Sequence, residues 1–200
     1  LYFGLDSSCP YHAQDVKNRG LKGTDAKFVT PESTFRAHIA IPGAHMVHNA
    51  LAGIAVGYAL GMTDEEIAKG IEANVPIAGR NNLIETGRYT VIDDCYNANP
   101  VSTQASIDVL SFADTRKVAI LGDMFELGEK EKEMHYETGK HAAEKGIDVL
   151  IGIGALSEET AHGAEETAAH TGKPITVLHF NTKQDFFAAA ESVLKDGDTI

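Results

Sequence analysis

The sequence has no run of about 18 consecutive apolar residues, the length a helix needs to cross a bilayer, so no membrane span is expected. Cysteine is nearly absent: Cys9 and Cys95 stand far apart and match neither a disulfide framework nor a metal-ligand spacing, so free thiols are expected. Bases are scarce. Against 29 Asp and Glu there are 17 Lys and Arg, a formal net charge of −12 carried mostly by residues 80–200. Phosphate backbones are held by Lys and Arg, so this surplus argues against nucleic acid as a partner. No G-x-x-x-x-G-K-[ST] phosphate loop occurs, and no G-x-G-x-x-G opens a helix after a strand; Gly152-Ile153-Gly154 is too little to count. There is no Ser/His/Asp order, no zinc spacing, no internal repeat and no signal-peptide pattern. The chain opens at Leu1 without a Met and closes at Thr199-Ile200 in what reads as a new strand, so it is expected to be a piece of a longer protein.

What is present is enough apolar residue, 43%, to build a core, in a length that allows one large or two small domains. Residues 1–42 hold short β-like runs. Leu21 to Thr30 and Phe35 to Ile41 read as strands joined by Pro31-Glu32-Ser33, and Ala37, Ile39 and Ile41 alternate with Arg36, His38 and Ala40 at period two. A helix follows over 45–60, with Val47, Ala50, Leu51, Ile54 and Tyr58 as its buried stripe and Gly61 as its stop. Thr63-Asp64-Glu65-Glu66 is a capping box for a second helix to about Glu72. Residues 74–79 read as a linker, which places a domain boundary between residues 1–79 and 80–200.

From Arg80 the period changes. Strands fit at 89–93, 117–121, 147–153, 175–179 and from 198; helices fit at 102–113, 129–145, 156–171 and 182–195. This alternation implies a parallel sheet covered on both faces, an α/β fold. Right-handed crossovers then put every strand's carboxyl end on one rim, where ligands of open α/β sheets bind. That rim gathers Asp93, Asp94, Asn97 and Asn99, then Gly122, Asp123, Met124 and Glu126, then Gly152 and Gly154.

Four segments carry chemistry or a plain structural task. Pro42 to Ala52 puts polar groups at a helix N-terminus, where backbone N–H groups hold an anion or a base edge; Asn49 offers both a donor and an acceptor to an adenine, whereas His45 equally well caps or packs. Gly79-Arg80 aims a fork of donors at a phosphate or simply lies on the surface. Thr90 to Pro100 ends a strand in two carboxylates and an Asn-rich turn, suited to hydroxyl and amine groups or to capping the next helix. Gly122 to Gly128 binds an ammonium, orients a loop or caps the helix from Glu129. His135 reads as a satisfied structural histidine.

In this order the four segments resemble the Mur ligases of peptidoglycan synthesis, over essentially the whole chain. Asp93-Asp94-Cys95-Tyr96-Asn97-Ala98-Asn99-Pro100 and Gly122-Asp123-Met124-Phe125-Glu126-Leu127-Gly128 look like the forms of the branch that adds D-alanyl-D-alanine. The resemblance implies a Rossmann-like, parallel-sheet C-terminal domain (80–200), preceded by the β-hairpin and helical end of a P-loop-type ATP-binding domain (1–79). It implies that Asn49 contacts adenine, that Arg80 reaches the nucleotide phosphates, that Asp94 binds the ribose hydroxyls, and that Arg80 and His45 take catalytic parts. His45 matches the first residue of the family's H-N-x-x-N pattern, but Met46 replaces the first Asn. Tyr96, Asn97 and Asn99 would face the substrate.

The implied reaction is ATP-driven amide formation between UDP-MurNAc-tripeptide and D-alanyl-D-alanine, by a monomer in the bacterial cytoplasm serving cell-wall biogenesis, cell shape and division. Mg2+ is the implied metal. Its ligands, the phosphate loop and the family's modified lysine are expected upstream of Leu1, so these residues alone are expected to be inactive. A sibling ligase or folylpolyglutamate synthase, adding a single amino acid, is the nearest alternative; the absence of D-N-P-R disfavours the sibling that makes the tripeptide. A receiver-like module is remote, because the third strand ends Gly152-Ile153-Gly154 with no acid to phosphorylate. A nucleotide-binding module without catalysis also remains open.

Overall fold

The structure, a computed structural model, describes all residues 1–200. The chain folds as two compact units, Leu1–Ile77 and Ala78–Ile200. The division falls just before Gly79 because the 79–81 turn is hydrogen-bonded to residues 93–96.

The first unit is a four-stranded sheet with two helices. Strands β1 (Phe3–Gly4), β2 (Tyr11–Asn18), β3 (Thr24–Val29) and β4 (Thr34–Ile39) lie in that order; β1 is parallel to β2, and the rest form an antiparallel meander. This is more than the hairpin expected. β2 has no period-two signature: Tyr11, His12 and Ala13 are buried consecutively, and the strand then runs exposed through a bulge at Asp15, whose φ is +50°. β3 starts later than the expected 21, because Gly20–Lys22 forms a 3-10 turn. Gly23 then takes φ +88°, where a Cβ would lie 2.0 Å from the Ile39 carbonyl oxygen.

Helix α1 (Met46–Ala59) buries Val47, Leu51 and Ile54 against Phe28 and Ile39 of the sheet. Burying side chains of this size contributes roughly 1.5–3 kcal/mol each. The helix ends in a Schellman arrangement: Gly61 N–H bonds to Tyr58 O and Met62 N–H to Gly57 O, with Gly61 at φ +79°. Helix α2 (Asp64–Glu72) opens with the expected capping box between Thr63 and Glu66.

The second unit opens with a strand the periodicity did not reveal. β5 (Asn82–Glu85) pairs antiparallel with β6 (Thr90–Asp93), Leu83 opposite Ile92. It is four residues long and half exposed, too short for a pattern. Then come α3 (Pro100–Ser111), β7 (Val118–Gly122), a 3-10 turn at Gly128–Lys130, α4 (Glu131–Glu144), β8 (Val149–Ile153), α5 (Ser157–Thr171), β9 (Thr176–Phe180) and α6 (Lys183–Val193). β7, β8 and β9 form a parallel sheet in that order. Residues 198–200 join it to β6. Thr90 and Ile92 donate to Asp198 O and Ile200 O at 3.0 and 2.7 Å, while Val118 N–H donates to Thr199 O at 2.8 Å. β6, 198–200, β7, β8 and β9 are thus parallel neighbours, with their carboxyl ends on one rim.

Helices cover both faces of this sheet. Ile107, Leu110, Ala142, Ala143 and Leu150 pack in one layer and Val118, Val149, Ile151 and Phe186 in the other. α4 and α5 touch backbone to backbone: a Cβ on Gly139 would lie 1.8 Å from Thr160 O, and one on Gly163 2.1 Å from Tyr136 O.

Candidate functional site

In the second unit, polar chemistry gathers on the carboxyl rim of the parallel strands. The two acids that end β6 tie down the 79–81 turn. Asp93 Oδ2 accepts the Gly79 N–H at 3.0 Å, Asp94 Oδ1 accepts the Asn81 N–H at 3.0 Å, and Gly79 O accepts the Tyr96 N–H at 3.1 Å. Gly79 at φ +76° makes the turn, and a Cβ there would crowd Tyr96. The exposed Arg80 guanidinium consequently stacks over the Tyr96 ring, 4.3 Å from its centroid. A planar cation lying on a ring keeps its edge donors free for an anion.

Asp94 also accepts a hydrogen bond from Ser106 Oγ, nearly two turns into α3. A carboxylate has about four acceptor sites, so with two in use two remain for a diol. Asp93 takes a second bond from the Cys95 thiol at 3.0 Å. That bond, helped by the Gly79 N–H and opposed by burial, holds the Asp93 carboxyl below its ordinary value. The same bond, with burial, pushes the Cys95 thiol up. Asn99 caps α3: its side chain accepts the Ser102 N–H at 3.0 Å, and Pro100 fills the first helical position. The helix therefore begins two residues before the expected 102. Tyr96 and Asn97 are exposed.

Past Ile200, the last residue of the sequence, β6 and β7 face each other with no strand between them. Asp94, Asn97, Asp123, Phe125 and Lys183 lie around this end of the sheet. Lys183, at the start of α6, is the single cation among them, and nothing in its spacing sets it apart in the sequence. Ser106 was missed likewise, for its partner lies twelve residues back on another element.

The Gly122–Gly128 loop does not cap its own following helix, one of the options the sequence left open. Asp123 Oδ1 accepts the Ser157 N–H of α5 at 2.8 Å, across the sheet. Met124 N–H donates to His135 Nε2 at 2.9 Å, and His135 is fully buried, as a structural histidine should be.

The first unit carries His45 and Asn49. Both are exposed at the start of α1. His45 occupies the N-cap position without a side-chain capping bond. Asn49 Nδ2 donates to the Met46 sulfur at 3.3 Å, so the residue that departs from the expected pattern is the one Asn49 touches. Both line a groove of about 250 Å³ between α1 and α2, floored by Gly53, Gly57 and Ile67. A Cβ on Gly53 would meet nothing within 4 Å, so the groove is open there. Within the second unit the structure brings Arg80, Asp94, Tyr96, Asn97 and Asn99 onto one rim; His45 and Asn49 belong to the other unit.

Comparison with known proteins agrees with this fold. Residues 79–200 match the family model described as Mur ligase, glutamate ligase domain. The UDP-N-acetylmuramoyl-tripeptide–D-alanyl-D-alanine ligase of Bacillus subtilis is 34% identical over 201 residues, 99% of this chain and 42% of that enzyme. A crystal structure of MurF from Acinetobacter baumannii superposes with a TM-score of 0.83 at 27% identity, over 98% of this chain and 42% of that one. MurF ligase from Thermotoga maritima in complex with ADP shares the fold, with a TM-score of 0.68 at 24% identity over 96% of this chain and 47% of its own. The chain thus spans less than half the length of these relatives. No helix in it is long and apolar enough to cross a membrane. With the family model covering more than half of the sequence, the chain belongs to the Mur ligase family.

Proposed function

We propose that these residues form part of an ATP-dependent ligase that joins D-alanyl-D-alanine to UDP-MurNAc-tripeptide in the bacterial cytoplasm. The observation that carries the reading is the β6 rim, where Asp94 keeps acceptor sites for a diol beside a stacked Arg80. A ribose diol and a phosphate chain are one such pair of groups, and a relative of the same fold is described as a complex with ADP.

In the proposed reaction the terminal carboxylate of the tripeptide attacks the γ-phosphorus of ATP. The bond to ADP breaks and an acyl phosphate forms. The amine of the dipeptide then attacks the acyl carbon, and phosphate leaves with the bonding pair. Asp94 accepts the ribose hydroxyls and Arg80 donates to the phosphates, its ring partner Tyr96 fixing the plane of the fork. Asn49 reads the adenine edge with its amide, and His45 stands beside it at the helix start as a candidate for the phosphoryl end. Tyr96, Asn97 and the amide nitrogen of Asn99 face the substrate; the Asn99 oxygen is spent on the α3 cap. These residues contain no group of three or more His, Cys, Asp or Glu side chains that could hold a metal ion.

The test is phosphate release by the full-length enzyme with ATP, Mg2+ and UDP-MurNAc-tripeptide, comparing D-alanyl-D-alanine with single amino acids. Release with the dipeptide alone supports the reading. Release with a single amino acid moves the protein to a sibling activity. The 200 residues by themselves, having no phosphate loop, are expected to release none.

A further inference from the structure

Asp94 stands just past the end of β6, in a loop. A carboxylate so placed is not by default a directed acceptor, because χ2 of an Asp is a broad, roughly two-fold rotor. The Asn81 N–H, 3.0 Å from Oδ1, pins one oxygen and leaves the group free to swing about that point. The second pin is the Ser106 hydroxyl on Oδ2, and it comes from a different element. Together the two bonds fix the plane of the carboxylate, and with it the directions of the acceptor sites that remain.

Ser106 is built to hold such a direction. It lies inside α3, whose start is locked by Pro100 and the Asn99–Ser102 capping box and which buries Ile107, Val109 and Leu110. Its Cα is therefore carried by a packed helix, not by the rim loop. The hydroxyl has one proton and two acceptors within reach, the Asp94 carboxylate and the Ser102 carbonyl a turn back at 3.1 Å. A helical serine ordinarily gives its proton to that i−4 carbonyl. A charged acceptor makes a bond roughly twice as strong as a neutral one, so the carboxylate takes the proton. Helix formation does not call for a serine here, since alanine has the higher propensity, and the side chain is only half-buried. The bond to Asp94 is what the hydroxyl adds.

We propose that Ser106 is a positioning residue for nucleotide selection: by holding Oδ2 of Asp94 it aims the remaining acceptor sites at the ribose hydroxyls, and so sets how strongly ATP is preferred over its deoxy forms. This rests on the reading of Asp94 as the acid that binds the ribose. Asp94 is the group that touches the nucleotide; Ser106 acts only through it. Hydrogen bonds weaken steeply as the donor angle closes, so two neighbouring hydroxyls are met together only by a carboxylate held in one plane.

The experiment uses the full-length enzyme as wild type, Ser106→Ala, Ser106→Thr, Asp94→Asn and the double variant Asp94→Asn/Ser106→Ala. Dissociation constants for ATP, 2′-deoxy-ATP and 3′-deoxy-ATP are read by calorimetry with Mg2+ and no other substrate, beside kcat and the ATP KM. Ser106→Ala keeps the acceptor but not its direction. Its ATP dissociation constant should rise about three- to tenfold, part of what a whole hydrogen bond to a charged group is worth. The deoxy nucleotide that wild type binds less well should change by less than about twofold, so the preference for ATP falls, while kcat at saturating ATP stays within about twofold. Ser106→Thr keeps the hydroxyl and should keep most of the preference. In the Asp94→Asn background, Ser106→Ala should change ATP binding by less than about twofold, because the group it acts through is already gone.

An ATP preference in Ser106→Ala equal to that of wild type overturns the proposal; with a lowered melting temperature, that result is the mark of a merely structural role. A double variant that loses as much again as Ser106→Ala alone overturns it too. If Asp94→Asn loses the preference and Ser106→Ala keeps it, Asp94 still reads the ribose and only the role of Ser106 falls. If Asp94→Asn keeps the preference, or wild type has none, the ribose reading of Asp94 fails and the role of Ser106 fails with it. Alanine at a helical position does not threaten folding, so the Ser106→Ala arm always reports.

Discussion

Replacing Asp94 by Asn separates the two tasks this carboxylate performs. In the fold it accepts the Asn81 N–H at 3.0 Å on one oxygen and the Ser106 hydroxyl on the other. Asn keeps the first bond unchanged. Its amide nitrogen then faces Ser106, whose hydroxyl can turn and accept. The cost to stability should be about 1 kcal/mol or less. Nucleotide binding should suffer more, because the ribose diol loses a charged acceptor. A hydrogen bond to a charged group contributes roughly 1.5–3 kcal/mol, which converts to an ATP KM raised about 10- to 100-fold with kcat at saturation little changed. Asp94→Ala should show the same loss of affinity plus a clear drop in melting temperature, since the buried Asn81 loses the acceptor of its N–H. The assay is phosphate release against ATP concentration, run in parallel with 2′-deoxy-ATP. Wild type should prefer ATP, and Asp94→Asn should lose most of that preference. A variant that still discriminates between the two nucleotides as wild type does would refute the assignment, whatever its absolute activity.

Four further outcomes follow from the geometry. Arg80→Lys keeps the charge but loses the planar stack on Tyr96, so the ATP KM should rise about tenfold in steady-state assays; an unchanged value would mean the stack orients nothing. Asp93→Asn removes the negative charge that helps hold the Cys95 thiol protonated, so iodoacetamide should alkylate Cys95 severalfold faster at pH 8, read by mass spectrometry. The Asp93 carboxyl is lower in the fold than in the unfolded chain, so the stability it contributes is full above the unfolded value of about 3.9 and is lost as pH falls through the folded one; the melting difference between wild type and Asp93→Asn should shrink below about pH 4. Gly163→Ala forces a methyl to within 2.1 Å of Tyr136 O, so α4 and α5 must separate; a loss of about 1–3 kcal/mol, or several degrees in a thermal melt, is expected.

The sequence was most legible where a residue acts on its own element. The Thr63–Glu66 capping box, the Gly61 stop and the apolar runs of β7 and β8 all appear as expected, because each signal spans a few residues and its cause is local. β5 and β2 were not legible: one is too short to show a period, and the other buries three consecutive residues before a bulge. The rim was read correctly as a cluster, since parallel topology alone decides it. Its wiring was not. Asp94 to Ser106, Asp123 to Ser157 and Met124 to His135 join different elements, and no spacing encodes which partner a carboxylate or an imidazole finds across a sheet. For the same reason the stack of Arg80 on Tyr96 was not legible: sixteen residues separate them, and the stack exists only because Asp93 and Asp94 fold the 79–81 turn back onto residues 93–96.

If the rim serves a ligase whose incoming group is a dipeptide, the mass of the nucleotide product shows it. The full-length enzyme would be incubated with UDP-MurNAc-tripeptide, ATP, Mg2+ and an equimolar mixture of D-alanyl-D-alanine and single amino acids. One product is expected, heavier than the tripeptide substrate by one dipeptide less one water and formed in step with ADP. A product heavier by a single residue, or ADP formed without any new amide, would contradict it.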